Sequence, residues 1–230
     1  MSLVFFDTET TGLDSDPYAR LCQLAYKTGD DMFNELFKPP VEIGLGAMAV
    51  HHITEAMVKD RPAFKDTEHH STVKDMFSKK SNIAVAHNAK FDIEMLRREE
   101  VEVKSFICTQ IVAQNMLKDQ GVKVFKLQSL RYYFNLELPD AKAHDAAGDV
   151  MVLEAVFNKL FEVAEEKNKK WAADKGKKAW TKTQLLARFV DMSMTPIQPT
   201  LMMPFGKHSG TLLSELVNVD RRYCEWLVGN

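Results

Sequence analysis

Cysteine is scarce in this chain, and the three present, Cys22, Cys108 and Cys224, are far apart, odd in number and form no C-x-x-C pair. Neither a disulfide framework nor a structural zinc site is indicated. Long hydrophobic runs are lacking too, and the N-terminus has no basic stretch followed by a long apolar one, so no membrane span and no secretory signal is expected. A reducing cytoplasm is the expected compartment. Charge of one sign is also lacking: 30 Lys and Arg against 32 Asp and Glu leave a formal net charge of −2. That argues against a uniformly basic nucleic-acid coat, although a net figure hides local patches. Internal repeats are absent. What is there is ordinary for a soluble globular protein, 45% apolar and 27% charged residues in 230. That length buries one full core and leaves material for a small second module.

Along the chain, Leu3 to Phe6 reads as a short buried strand running into Asp7-Thr8-Glu9 and a Thr10-Thr11-Gly12 turn. Arg20 to Lys27 and Met32 to Lys38, separated by Thr28-Gly29-Asp30-Asp31, carry a hairpin signature, so the sheet is expected to begin antiparallel. Gly44 to Thr54 predicts a short helix and turn, with Thr54 capping a second helix through Lys59, and Phe64 to Ser78 predicts a weakly amphipathic helix. Asn82 to Ala86 is a compact apolar run, read as a buried strand, followed by a polar loop and a helix to about Glu100. A strand over Ser105 to Thr109 and helices over Gln110 to Lys118, Leu127 to Phe134 and Ala143 to about Glu165 complete an α/β pattern. Composition changes at Glu165: Lys167 to Lys182 holds seven lysines with Trp171 and Trp180, which reads as a linker or basic surface helix. Thr181-Lys182-Thr183-Gln184 matches a capping box ahead of Leu185, Leu186, Phe189 and Val190.

The chemistry is carried by carboxylates in places where core residues are normal. Asp7 and Glu9, at i and i+2, point the same way at the end of a core strand, where like charges repel and lose hydration. A cation between them would relieve both. Asp149 shares the inward stripe of its helix with Val152, Leu153, Val156 and Leu160, an expensive position unless paired or metal-bound. Asp92, followed by Ile93, Met95 and Leu96, makes a similar case, with a first-turn acid favoured by the helix dipole as its plainer reading. His144, five residues before Asp149, could take a proton from water at neutral pH. An oxygen-only ligand set suits Mg²⁺ or Mn²⁺ rather than zinc. Two such ions about 3.5–4 Å apart are the arrangement used for in-line phosphodiester hydrolysis, which points to a nuclease.

Three segments resemble the exonuclease motifs of the DEDD superfamily in its histidine-containing branch: Phe6 to Leu13, Ala86 to Asp92 and His144 to Asp149. They occur in the expected order, with all five acidic and histidine positions filled. Met48 to Thr54 resembles a further segment of proofreading and exonuclease X-like members, with His52 where relatives often have glycine or arginine. The resemblance covers roughly residues 1 to 165 and implies a ribonuclease H-like fold, a mixed β-sheet flanked by helices. Pro204-Phe205-Gly206-Lys207, Gly210, Tyr223 and Trp226-Leu227 are similar to the small module that follows the nuclease domain in exonuclease X-like proteins, with His208 in place of a more usual tyrosine. The expected organisation is a nuclease domain over 1–166, a lysine-rich linker with a short helix over 167–199 and a C-terminal module over 200–230.

The resemblance also implies roles. Asp7, Glu9 and Asp149 would hold one Mg²⁺ or Mn²⁺ ion, Asp7 and Asp92 a second, directly or through water, and His144 would be the general base. Thr10 and Leu13 would position the terminal nucleotide, with His51, Asn88 and Phe91 lining the groove. The expected substrate is DNA with a free 3′ end, single- or double-stranded, cut to nucleoside 5′-monophosphates, with no membrane partner. RNA trimming by the same machinery, a non-catalytic nucleic-acid-binding relative and a protein-docking C-terminal unit stand as alternatives. For Trp171 and Trp180 the expectation is docking on the nuclease domain, while the lysines stand evenly between solvent and substrate.

Overall fold

The computed structural model describes residues 2–141, 143–194, 207–208, 216 and 220–228. The chain divides into two compact units, Met1–Met194 and Thr195–Asn230. The first is built on five strands, β1 (Ser2–Thr10), β2 (Leu21–Thr28), β3 (Asp31–Leu36), β4 (Asn82–Ala86) and β5 (Phe106–Cys108), in the order β3-β2-β1-β4-β5. The hairpin pairs antiparallel as expected, with β2 also antiparallel to β1, whereas β4 and β5 join parallel to β1 and to each other. This is the mixed sheet of the ribonuclease H-like fold. The register of β1 against β2 shifts between Glu9 and Thr10, a bulge of the kind that bends a strand beside a functional site.

Helices α1 (Leu45–His51), α2 (Glu55–Val58), α3 (Glu68–Ser78), α4 (Ala89–Arg98), α5 (Thr109–Leu117), α6 (Leu127–Tyr133), α7 (Ala146–Asp174) and α8 (Lys182–Met194) surround the sheet. Strand alternation divides the core between the two sheet faces. Phe5, Ala25, Ile83, Val85 and Ile107 pack with Val152, Leu153, Val156 and Leu160 of α7. Val4, Phe6, Leu24, Ala84 and Ala86 pack with Val73 and Phe77 of α3 and Leu96 of α4. The same alternation therefore puts Asp7 and Glu9 on the α7 face and Thr8 on the α4 face.

Several local expectations are refined. β1 is longer than its apolar run because Asp7, Thr8, Glu9 and Thr10 keep pairing with β2. Thr54 is the N-cap of α2 but its side chain makes no capping hydrogen bond. The segment from Phe64 splits into a 3₁₀ turn (Phe64–Asp66) and α3. The long helix does not stop where composition changes at Glu165 but continues to Asp174, because Asn168 and Ala172 are buried on its inner side. The capping box forms as written: the Gln184 N–H donates to Thr181 Oγ1 at 3.3 Å, and the Thr181 N–H donates to Gln184 Oε1 at 2.8 Å.

In the second unit, Asp220 accepts from Lys207 Nζ at 2.6 Å and faces His208 Nε2 at 3.0 Å, and Tyr223 sits between the His208 and Trp226 rings. Pro204, Phe205, Gly206 and Gly210 lie outside the described residues. Among the described residues, no helix is long and apolar enough to cross a membrane.

Candidate active site

The site lies at the carboxyl ends of the parallel strands, where β1 runs past the last residue of β4. Ligand-capable oxygens of Asp7, Glu9 and Asp149 all lie within 4.8 Å of one another. Asp149 reaches them because α7 packs across the β1 face that carries Asp7 and Glu9. α7 starts there because Asp145 is its N-cap, its side chain accepting from the Gly148 N–H at 3.2 Å. Both oxygens of Asp149 are held: Gln128 Nε2 donates to Oδ1 at 2.7 Å, and the His144 N–H donates to Oδ2 at 3.0 Å.

Asp92 comes from the other face. It is buried in the first turn of α4, and its Oδ1 accepts from both the hydroxyl (2.7 Å) and the N–H (3.1 Å) of Thr8, 84 residues earlier. It stands near enough to Asp7 to repel it, but outside the close trio. His144 is exposed just ahead of α7, in left-handed backbone conformation (φ 60°).

The electrostatics show what this arrangement lacks. Burial, then repulsion from Asp92, Glu9, Asp149 and Asp145, holds the Asp7 carboxyl well above the usual range. Burial and the carboxylates of Asp149, Asp92 and Asp145 push Glu9 up to about 8. Burial raises Asp92 to about 7, even though the Thr8 hydrogen bonds pull the other way. Asp149 is raised by burial and partly relieved by its His144 and Gln128 donors. Crowded carboxylates whose charged neighbours are mostly other carboxylates suit a hard divalent cation, which offsets charge that desolvated acids otherwise shed by taking up protons.

Next to Glu9 opens a cleft of about 570 Å³ whose lining includes Thr10, Leu13, His51 and Phe91. Of the groove residues expected from sequence, Asn88 alone is not in that lining; it is the N-cap of α4, in left-handed conformation (φ 62°). Leu13 is 69% exposed at the rim. His51 is buried, and both ring nitrogens are engaged: Nδ1 accepts from the Ile53 N–H at 2.9 Å, so Nε2 carries the proton shared with the Thr10 carbonyl at 3.1 Å. Burial lowers its pKa, so this neutral form is the favoured one. Its structural work is to hold the Thr10 backbone. Gly44 approaches the same turn closely, its N–H on the Thr11 carbonyl at 2.9 Å, and a Cβ there would sit 3.0 Å from that oxygen.

The loop that carries Leu13 is held from α4. Arg98 donates to the carbonyls of Asp14 (2.9 Å), Asp16 (2.7 Å) and Ala19 (3.0 Å), and its Nε bonds Glu94 at 3.0 Å. Sequence reasoning missed Thr8, Gln128, Arg98 and Asp145, none of which breaks a periodic pattern.

The RNase_T exonuclease family model matches residues 4–157. The chain belongs to this exonuclease family. With its motifs it is a 3′–5′ exonuclease of the DEDD type. Exodeoxyribonuclease 10 of Escherichia coli K12 is 28% identical over an alignment that covers 99% of this chain and 91% of that protein. A DNA polymerase III subunit epsilon-like protein of Rhodobacter capsulatus is 30% identical over an alignment that covers 70% of this chain but only 24% of that protein. Among solved structures, exonuclease X in complex with 5′ overhanging duplex DNA superposes with a TM-score of 0.59 at 26% identity, covering 83% of this chain and 99% of that one.

Proposed function

We propose that this exonuclease is of the histidine-containing DEDD branch and hydrolyses DNA from 3′ ends to nucleoside 5′-monophosphates, in repair or proofreading-type end processing in the cytoplasm. The observation that carries the reading is the trio Asp7, Glu9 and Asp149 beside a cleft sized for a nucleotide. Likeness to exodeoxyribonuclease 10 over nearly the full length of both proteins supports DNA as the substrate.

Asp7, Glu9 and Asp149 would hold one divalent ion, Mg²⁺ or Mn²⁺, and Asp7 with Asp92 a second. When bound, such ions lower the pKa of water and offset charge on the scissile phosphate. The chain's own residues do the rest. His144 takes the proton from the attacking water, acting from an exposed position where it can pass that proton to solvent. Gln128 and the His144 N–H keep Asp149 oriented, and Thr8 does the same for Asp92. Thr10 and Leu13 seat the 3′-terminal nucleotide over the Phe91 side of the cleft, His51 fixing the Thr10 backbone from behind. Asn88 supports the start of α4 next to Asp92. Catalysis is assigned to residues 1–166, and residues 200–230 to a small accessory module.

The deciding experiment digests matched single-stranded DNA, double-stranded DNA and RNA with Mg²⁺ and resolves products by size. Release of mononucleotides from DNA 3′ ends, with RNA cut far more slowly, is expected. Preferential trimming of RNA would overturn the choice of substrate.

A further inference from the structure

A second cleft, of about 360 Å³, lies between α7 and α8, far from the carboxylates, and the exonuclease chemistry makes no use of it. Trp171 and Trp180 line it, with Phe189 and Met192 contributing apolar surface; Lys167, whose Nζ donates to the Met116 carbonyl at 2.7 Å, and Arg188, paired with Asp191 at 2.7 Å, lie at its edge. The two indoles face each other at 5.8 Å between ring centroids and a tilt of 53°, yet remain 39% and 43% exposed. Large half-exposed aromatics on a mobile linker would mean little. This connection is held at both ends.

At the end of α7, the Lys177 N–H donates to the Ala172 carbonyl (2.8 Å) and the Gly176 N–H to the Ala173 carbonyl (3.2 Å), with Gly176 at φ 58°, the paired bonds of a Schellman stop. At the start of α8 the capping box closes. Between them Asn168, buried in α7, grips the backbone of Trp180 with both ends of its amide, donating to its carbonyl at 3.0 Å and accepting from its N–H at 3.1 Å. The indoles are thus fixed before any ligand arrives.

The segment that carries them is rich in lysine. Residues 167–182 hold seven lysines against one carboxylate, Asp174, and Lys177 lies over the Trp171 ring at 5.7 Å. Rigid π-faces in a positive field match a ligand that is aromatic and polyanionic at once, which describes unpaired nucleobases on a phosphate backbone. An apolar peptide would fit the indoles but gain nothing from the lysines.

We propose that the α7–α8 cleft is a second DNA contact in which unpaired bases of a single strand stack on Trp171 and Trp180, with lysines 167–182 on the backbone. This rests on the reading of the chain as a DNA exonuclease. Trp171 is 22 positions after Asp149 on one helix, about 33 Å at 1.5 Å per residue. At 3.4 Å per stacked nucleotide that is about ten nucleotides. The contact therefore holds a long strand and cannot touch a short one that fills the active site.

The test compares the full chain with Trp180→Ala, Trp171→Ala and Trp180→Phe, each also carrying Asp7→Asn to stop digestion, for binding to dT30 and dT6 by fluorescence anisotropy. Thermal melts confirm that each variant is folded. The alanine variants are expected to bind dT30 about tenfold more weakly, within the range for loss of one stacked base, and to leave dT6 within twofold, whereas Trp180→Phe keeps most of the dT30 binding. Unchanged dT30 binding by folded alanine variants, or equal losses for dT30 and dT6, overturns the proposal. So does loss of binding to anionic lipid vesicles with dT30 unaffected, which would make the cleft a membrane contact. A wild-type chain that digests DNA normally, while the alanine variants bind dT30 as tightly as Asp7→Asn alone, sinks this inference alone; failure of the wild-type chain to digest DNA at all sinks the exonuclease reading first.

Discussion

Gln128 donates its amide to Oδ1 of Asp149 at 2.7 Å from α6, a helix that supplies no acidic residue to the cluster. Removing the donor leaves a carboxylate without one of its two orienting bonds. Gln128→Ala is expected to lower kcat about 10- to 100-fold and to raise the Mg²⁺ concentration needed for half-maximal activity, the usual scale for a partner of a metal-ligating group. A Mg²⁺ titration of initial rates identical to that of the wild type would contradict this.

His144 is exposed in a left-handed conformation, which asparagine tolerates well. His144→Asn should therefore keep the fold and the melting temperature while cutting the rate on a labelled 3′-recessed oligonucleotide by about 10²–10⁴-fold, the range for a lost general base. Asp7→Ala should abolish turnover. Full activity in either variant would remove the residue from the mechanism.

Arg98 grips three loop carbonyls, whereas its neighbour Arg97 pairs at the surface with Glu94. Arg98→Met is expected to raise KM several-fold, as the Leu13 loop loosens, with a smaller change in kcat. Arg97→Met serves as control and should match wild type in both KM and Tm. Equal effects of the two substitutions on KM would argue against the loop clasp.

Glu9 titrates near pH 8 and Asp92 near 7, and Asp7 and Asp149 are raised as well, all by burial first. In the unfolded chain such acids lose their protons at about pH 4. Between those limits the metal-free folded state binds more protons than the unfolded one, so its stability falls as pH rises from about 4 to 8. Stabilisation by Mg²⁺, which competes with those protons, should grow over the same window. Melts in EDTA and in Mg²⁺ at pH 6 and 8 should show the larger metal-induced rise in Tm at pH 8; equal rises would contradict the titration.

Legibility in the sequence followed locality. β4 is read residue for residue from Asn82 to Ala86 because an apolar run between polar turns has one economical fate. The hairpin and the Thr181 capping box are equally local. Asp149 could be found because it interrupts an apolar stripe, a one-dimensional anomaly. The end of α7 could not, because what keeps residues 165–174 helical is burial of Asn168 and Ala172 together with a bond from Asn168 to Trp180 twelve residues on. Thr8, Gln128 and Arg98 are invisible for the same reason: each is an unremarkable residue type whose partner lies 21 to 84 positions away.

Helix α4 carries Asp92 in its first turn and Arg98 in its last. It is a strut between the carboxylate cluster and the loop that carries Leu13. On the proposed reading, its length sets how far the Leu13 seat lies from the carboxylates that act on the phosphate. A terminus that seats badly at Leu13 would push on the same rod that holds Asp92 against Thr8. Fit of the strand end and alignment of the acid are then read off one gauge.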